Sequence, residues 1–331
     1  MSEEEYQKWF ERQVDRAVST QLVKAGTLEK YLFDPAAADR FVNSAAAGET
    51  FFSRVSYYPG EKYIDPQEFA ASGYAFFHRE NQSWAADYRE RLVGPIEEKK
   101  VDSYLSAIRQ LWVDGYQKRQ HDPLFVSLKE SIRQHDKHYY PHRNVFVEER
   151  CPKDAEPLFD PHEMHLLFEV TSSLSDVLLA DYLESREDHL ENSLGRVFLH
   201  RGVFPPRPIM DSVWVEKNYL TSYTLAVSVA EVFAQTWQGS KPDVGSPTIV
   251  SSRFSNFNNR ILAFAPLVPG MTKGQLEILA APPLQAFALK SQGVFDSDSI
   301  TISELEFDQV DAGLERTLVI PERVLRPSQA A

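Results

Sequence analysis

The stretch 274–290, GQLEILAAPPLQAFALK, decides how the second half of the chain is read. It holds two short apolar runs separated by Pro282 and Pro283. Runs of this length, bounded by a proline break, read as strands. Gln275 and Glu277 stand two residues apart at the start of the first run, so the strand period of two puts them on one face. A carboxylate in that place has two readings. It is an ordinary charge on an edge strand, or a catalytic carboxylate at a strand mouth.

The same texture continues on both sides. RVFLH (196–200), RILAFAP (260–266), ITISEL (300–305) and RTLVI (316–320) read as strands between Pro-, Gly-, Ser- and Asn-rich breaks. One helix interrupts them, LAVSVAEVFAQTW (225–237), with Leu225, Val229, Val232 and Phe233 on one face. The first half is mostly helical. Tyr6, Trp9, Phe10, Val14, Val18 and Leu22 recur at helical steps before Gly26. Shorter stripes follow at Trp84, Tyr88 and Leu92, and at Tyr104, Leu105, Ile108, Leu111 and Trp112. Between the first stripe and these, ETFFSRVSYYPGEKYIDP (49–66) is β-leaning around a Pro-Gly turn. RCPKDAEPLFDPHE (150–163) reads as an inter-domain linker, and Leu166, Leu167, Val170, Leu174, Leu178 and Leu179 open the next helix. The expected class is α+β, helices first and an antiparallel sheet system after. The expected domains are a mainly helical 1–155, for recognition or regulation, and 156–331.

Composition narrows the function. The chain has 331 residues, 43% hydrophobic and 25% charged, with a formal net charge of −13. This acidity disfavours general binding to nucleic acid or anionic membrane. One cysteine, Cys151, rules out an intrachain disulfide and a cysteine-rich metal site. MSEEEYQKWF at the N-terminus lacks the basic and apolar regions of a secretory signal, and no apolar run reaches the ~20 residues of a membrane span. The expectation is a protein that stays in the cytoplasm, or reaches a host or target cell by a signal-independent route.

Three stretches in order carry the chemistry. VFLHRGV (197–203) ends a strand at Arg201 and Gly202. NYLTSYTLAVSVAEVFA (218–234) sets Thr221 and Ser222 at a strand end before a helix. The third is the opening stretch. Taken singly, Arg201 reads as a surface ion-pair partner, Thr221-Ser222 as a helix cap, and Glu277 as an edge charge.

Together, over roughly residues 160–325, their order resembles the Arg-Ser-Glu class of mono-ADP-ribosyltransferases, which includes bacterial toxins and effectors. That family has an aromatic-Arg-Gly strand, a Ser-Thr-Ser strand end before a helix, and a Glu/Gln-x-Glu pair running into a strand. The resemblance implies two packed antiparallel sheets with flanking helices and NAD, consumed as substrate, in the cleft between them. It makes Glu277 the carboxylate that binds the ribose 2′-hydroxyl and steadies an oxocarbenium-like cation, as carboxylates do in glycosidases. Gln275 would face the acceptor. Arg201 would contact the NAD diphosphate or ribose with its charged fork. Thr221 and Ser222 would brace the nicotinamide end through their hydroxyls, and Gly202 beside Arg201 would be part of the NAD site. Arg253 and Phe254, in SSRFSNFNNR (251–260), would lie over the phosphates and nicotinamide.

Two departures stand out. The Ser-Thr-Ser reads Thr-Ser-Tyr, and His200 precedes Arg201 where many relatives have tyrosine. The short loop LVPGMTKG (267–274) leaves a protein, a nucleic acid, a small molecule or water as acceptor. The alternatives are an NAD glycohydrolase on the same fold and an inactive binding or scaffold module.

His135, His138 and His142 stand at helical spacing, and His162 and His165 follow. Zinc or iron would suit such a set. However, Pro141 breaks the helix before His142, and HEMH (162–165) is one residue short of the His-Glu-x-x-His pattern. Solvated or capping histidines are expected, with no metal.

Overall fold

The computed structural model describes residues 66–109, 122–141, 155–185, 197–203, 212–214, 220–227, 229–230, 234, 247–270, 276–281, 287–297 and 300–309. Gln275, His142, Cys151, the stripe at 6–22, the β-leaning segment 49–65 and the run at 316–320 lie outside these residues.

Four described helices come first: α1 Pro66–Leu92, α2 Glu98–Ile108, α3 Pro123–Tyr139 and α4 Pro161–Glu184. Their starts are encoded locally. Asp122 accepts the Leu124 N–H at 3.0 Å, with Pro123 in the first turn of α3. Asp160 accepts from His162 and Glu163 N–H at the head of α4, and Glu163 accepts the Asp160 N–H at 2.9 Å in return. This closes a capping box. Lys100 of α2 reaches the same Glu163 at 2.7 Å.

The strands are β1 Phe198–Val203, β2 Ser212–Trp214, β3 Thr221–Thr224, β4 Thr248–Arg253, β5 Ile261–Phe264, β6 Glu277–Ala280, β7 Phe287–Ser297 and β8 Ile300–Gln309. They hydrogen-bond in the order β2-β7-β8-β4-β1-β3-β6-β5. All neighbours are antiparallel except the parallel pair β4–β8. The α+β class and the order of helices before strands are thus as expected. The described strands form one continuous hydrogen-bonded series where two packed antiparallel sheets were expected. Its thinnest join is β1–β3, a single register pair His200↔Thr224, against six between β1 and β4.

The helices cover one face of this series. Phe77 packs on Tyr182 at 5.2 Å and on Phe264 at 5.7 Å between ring centroids. Asn81 donates to the Pro266 and Val268 carbonyls at 2.6 and 2.9 Å. One core joins Tyr88, Tyr104 and Ile132 to Phe168, Phe264 and Ile278. The described helices 66–139 therefore share the core of the strands. The segment read as a linker ends inside it. Phe159 is fully buried, and its N–H is held by Ser131 Oγ at 2.9 Å.

Three buried hydroxyls tie the layers together. Thr171 donates to the Leu167 carbonyl, and Tyr104 donates to the carbonyl of Leu262 in β5. Tyr88 lies 2.8 Å from Thr171 and 3.0 Å from Tyr104. Two of the three protons are already committed, so Tyr88 donates to only one of its two neighbours. Burial pushes the Tyr88 phenol up to about 12, against the lowering effect of its hydrogen bonds. Burial and the neighbouring Tyr88 push Tyr104 up as well. Both stay neutral. Tyr104→Phe strips a buried strand carbonyl of its donor and is expected to cost ~1–3 kcal/mol. Tyr88→Phe removes one side of an over-subscribed contact and is expected to cost ~1 kcal/mol or less. Urea unfolding of the two variants checks this order.

Candidate functional site

The site is built on β3 and β6. They pair Thr224 with Glu277 and Ser222 with Leu279. Residues 222 and 224 share a face of β3, and 277 and 279 share the matching face of β6. Ser222 Oγ accordingly donates to Glu277 Oε1 across the strands. Glu277 is 7% exposed, so a carboxylate is held in a largely dehydrated place by a cross-strand hydroxyl.

The backbone just before it is strained. Leu276 has φ +45, the left-handed region that a branched apolar residue avoids, at a cost of ~1–2 kcal/mol. Its side chain is 2% exposed, and its carbonyl accepts the Leu225 N–H at 3.2 Å. Those two anchors hold the bend that turns the chain into β6 at Glu277. The sequence carries a signal for a turn only in Gly274; the left-handed residue is a leucine.

The two faces of the strands differ in kind. One sends Leu199, Tyr223, Ile278 and Ala280 into the helix-packed core. The other carries a polar row. His200 pairs with Thr224, and Thr224 with Glu277. On the far side His200 Nδ1 meets Ser251 Oγ at 2.8 Å. Phe198 stacks near His200 at 6.4 Å, and the Arg253 guanidinium lies 5.9 Å above the Phe198 ring. Arg253 is exposed.

The expected site residues fare differently against this frame. Ser222 and Glu277 come together. Arg253 ends β4 on their face, and Gly202 lies in β1, half-buried. Arg201 sits on β1 beside β3, but alternation sends it to the face opposite His200. His200, noted only as a departure, holds the place on the Glu277 side. Thr221 opens β3 instead of ending it, is 3% exposed, and alternates away from Ser222. Thr224 supplies the cap, accepting the Ala226 N–H at 3.0 Å, and Val229 N–H then bonds to the Ala226 carbonyl at 3.0 Å. Phe254 is a core residue, 2% exposed, which takes it off any ligand surface.

The histidines are also corrected. His135 is 1% exposed, so it is neither solvated nor a cap. Its Nδ1 meets Asp136 Oδ1 at 2.8 Å and its Nε2 meets His165 Nδ1 at 3.3 Å. Tyr139 stacks on His165 at 4.5 Å and bonds His162 Nδ1 through its hydroxyl at 2.8 Å. His138 packs edge-on to His162 at 5.2 Å. Among the described residues, no three His, Cys, Asp or Glu side chains are grouped as a metal would need. What the sequence did not reveal is the partner of this cluster. Arg260 is 1% exposed, bonds both oxygens of Asp136 at 2.5 and 2.8 Å, and lies 5.2 Å from the Phe168 ring centre.

A scan against protein-family models finds no match for this chain, and a search of curated proteins finds none. Among solved structures, ADP-ribosyltransferase Vis with the M6 inhibitor is 12% identical, with 78% of this chain and 90% of that one covered and a TM-score of 0.34. Vis toxin, an ADP-ribosyltransferase from Vibrio splendidus, is also 12% identical, with 78% and 91% covered and a TM-score of 0.33. TM-scores this low establish no shared fold, and the functional reading rests on the residues of the site.

The buried cluster makes stability fall in acid. Burial alone would raise Asp136, but the His135 hydrogen bond and the Arg260 charge prevail and hold it below the ordinary carboxylate range. Its contribution is full above the unfolded value of ~3.9 and is lost as pH falls toward the folded value. Burial holds His135 below the ordinary histidine range, with Asp136 opposing. From ~6.5 downward, the unfolded chain therefore takes up a proton that the folded chain refuses. Melting temperature is expected to fall steadily from neutral pH into acid. Arg260→Met leaves a buried carboxylate alone and is expected to cost ~3–5 kcal/mol, with much of it recovered in the double variant with Asp136→Leu. Thermal unfolding of the single and double variants across pH measures both effects.

Proposed function

We propose that this chain is a mono-ADP-ribosyltransferase that cleaves NAD and transfers ADP-ribose to an acceptor, acting as a toxin or effector. The observation that carries the reading is the Ser222–Glu277 hydrogen bond between adjacent strands, from a half-buried hydroxyl to a buried carboxylate. A carboxylate fixed by a hydroxyl is what an oxocarbenium-forming reaction requires beside the ribose. In the proposed step, the bond from ribose C1′ to the nicotinamide nitrogen breaks, and its electron pair leaves with nicotinamide. Glu277 accepts the hydrogen bond of the 2′-hydroxyl and faces the cationic ribose. Ser222 holds the carboxylate in place. The acceptor nucleophile then bonds C1′ and gives up its proton. Gln275, two residues before Glu277, would orient that acceptor.

Two guanidinium groups compete for the diphosphate. The family resemblance favours Arg201, while strand alternation favours Arg253, which shares the Glu277 face beside the Phe198 ring. The first 155 residues would select the partner, and the described helices among them share a core with the strands.

A second reading, NAD hydrolysis with water as acceptor, is supported by the short connection into the site. The turn Ala265–Leu267 is followed by β6 starting at Glu277, which leaves little loop to read a large acceptor surface.

Nicotinamide release from NAD, with and without cell lysate, separates these readings. Wild type is expected to release nicotinamide faster with lysate, and Glu277→Gln to lose at least ~100-fold, as removal of a key transition-state contact does. Glu277-dependent release unaffected by lysate means a glycohydrolase. No release in either condition sinks both and leaves a binding module. In an active preparation, Arg253→Ala is expected to raise KM for NAD by ~10-fold, about the worth of one charged hydrogen bond. Arg201→Ala is expected to raise it less, and the reverse order would return the diphosphate to Arg201.

A further inference from the structure

We propose that His135, Asp136 and Arg260 form a clasp that positions the Ser222–Glu277 pair, and that acid opens it by loading a proton onto the buried imidazole of α3, which is stacked on the imidazole of α4. The positioning half rests on the reading of Ser222 and Glu277 as the reacting pair; the opening half stands on the clasp alone.

The connection runs through three consecutive residues. Arg260 is gripped by Asp136 of α3 through both guanidinium nitrogens. Its backbone carbonyl accepts the Ala281 N–H at 2.8 Å, just past the end of β6. Asn259, at φ +55, donates its N–H to Ser172 Oγ of α4 at 3.1 Å. Ile261 begins β5 opposite Ala280. The turn 259–261 is thus fastened to α3, α4 and β6 at once. β5 is the last strand of the series, and Glu277 stands at the other end of β6. If Arg260 lets go, the β5–β6 ribbon loses this tie to the helices, and the carboxylate moves with its strand.

The acid sensitivity follows from where protons can go. Asp136 takes the Nδ1–H of His135, which leaves Nε2 as an acceptor, and the donor facing it is His165 Nδ1–H at 3.3 Å. A proton on His135 Nε2 would set its N–H against the His165 Nδ1–H inside a buried stack. The charged and titratable groups facing His135 are Asp136, Tyr139 and Tyr140 from α3, His165 from α4, and Arg260 from the turn before β5. Phe168 of α4 closes the site with an apolar ring. Asp136 and Arg260 already balance each other there, so the added proton has no counter-charge. The same proton weakens the hold of Asp136 on Arg260, because the two cations then compete for one carboxylate.

Hydrogen exchange tests the clasp without any substrate. Protection of 261–264 and 277–280, corrected for intrinsic rates, is compared with 287–297 and 300–309 at about pH 7.5 and about pH 5.5. In wild type the first pair of segments is expected to lose on the order of ten-fold relative to the second, as the one buried imidazole of His135 passes an ordinary histidine value of ~6.5. His165→Phe keeps the ring stack and removes the facing N–H. Each protein is compared with its own protection at the higher pH, since the variant also strips His135 Nε2 of its donor; the variant should lose less than half as much as wild type, on a logarithmic scale, at the lower pH. Equal loss in His165→Phe, uniform loss in all four segments, or no loss at all overturns the proposal. Nicotinamide release read in parallel should show kcat falling with acid more steeply in wild type than in His165→Phe, at little change in KM. Absence of release at every pH would count against the NAD reading, while exchange still decides the clasp.

Discussion

The fold hangs on one ion pair. Asp136 and Arg260 are 124 residues apart and almost wholly buried, yet their side chains meet through two hydrogen bonds. A buried pair of this kind adds little net stability over apolar residues of the same shape. Its effect is directional. Each charge is intolerable inside without the other, so only the arrangement that brings them together survives. That arrangement sets α3 against the turn before β5, and the same turn orders the last two strands. Around this anchor the ties are neutral: Asn81 on the Pro266 and Val268 carbonyls, and Tyr104 on Leu262. All of them reach the β5–β6 end of the sheet. The helices therefore brace the part of the molecule that bears Glu277.

The strands gather most of their polar groups on one face, although Leu279 and Ile249 are buried there too. The helix-covered face is apolar and takes up Tyr223, Ile278 and Ala280. The other places serine, threonine, histidine and glutamate side by side where a single-purpose sheet would bury aliphatic groups. His200 and Ser251 are both fully buried, and they bond to each other. Polar groups in such places cost stability unless they are paired. They recur across four adjacent strands, β4 to β6, beside Ile249, which packs on Val227, Ala230 and Ala234.

Much of this was legible in the sequence. Apolar runs bounded by breaks located β1, β5, β6 and the start of β7, because their apolar residues outnumber their polar ones, and the alternation that opens ITISEL located the start of β8. β4 escaped because half of it, Ser251 to Arg253, is polar although it lies between two other strands. The Ser222–Glu277 meeting was within reach, since both residues lie on strands and parity fixes which neighbours can touch. The face of Arg201 was not, because a register shift of one residue reverses it. The partner of the histidines was also hidden. Arg260 lies at the edge of an apolar run, where local pattern reads it as a surface cation, and only tertiary packing brings Asp136 to it. Phe159 misled for the opposite reason: it is a core residue in a Pro- and charge-rich segment whose composition says linker.

The strain at Leu276 and the burial of Glu277 belong to one device. A carboxylate loses hydration when its strand packs, and an unsupported one would twist toward water or take up a proton. Here the backbone is bent by a left-handed leucine one residue earlier. The bend is kept by the burial of that leucine and by its bond to Leu225, in the segment that follows β3. Ser222, on β3 itself, supplies the donor. The force that bends the chain and the group that steadies the charge thus come from the same stretch, 222–225. If β3 shifted along β6, both supports would be lost together. Ser222 and Glu277 consequently keep their mutual geometry as a unit, and the fold can vary around them only in how that unit is braced from behind.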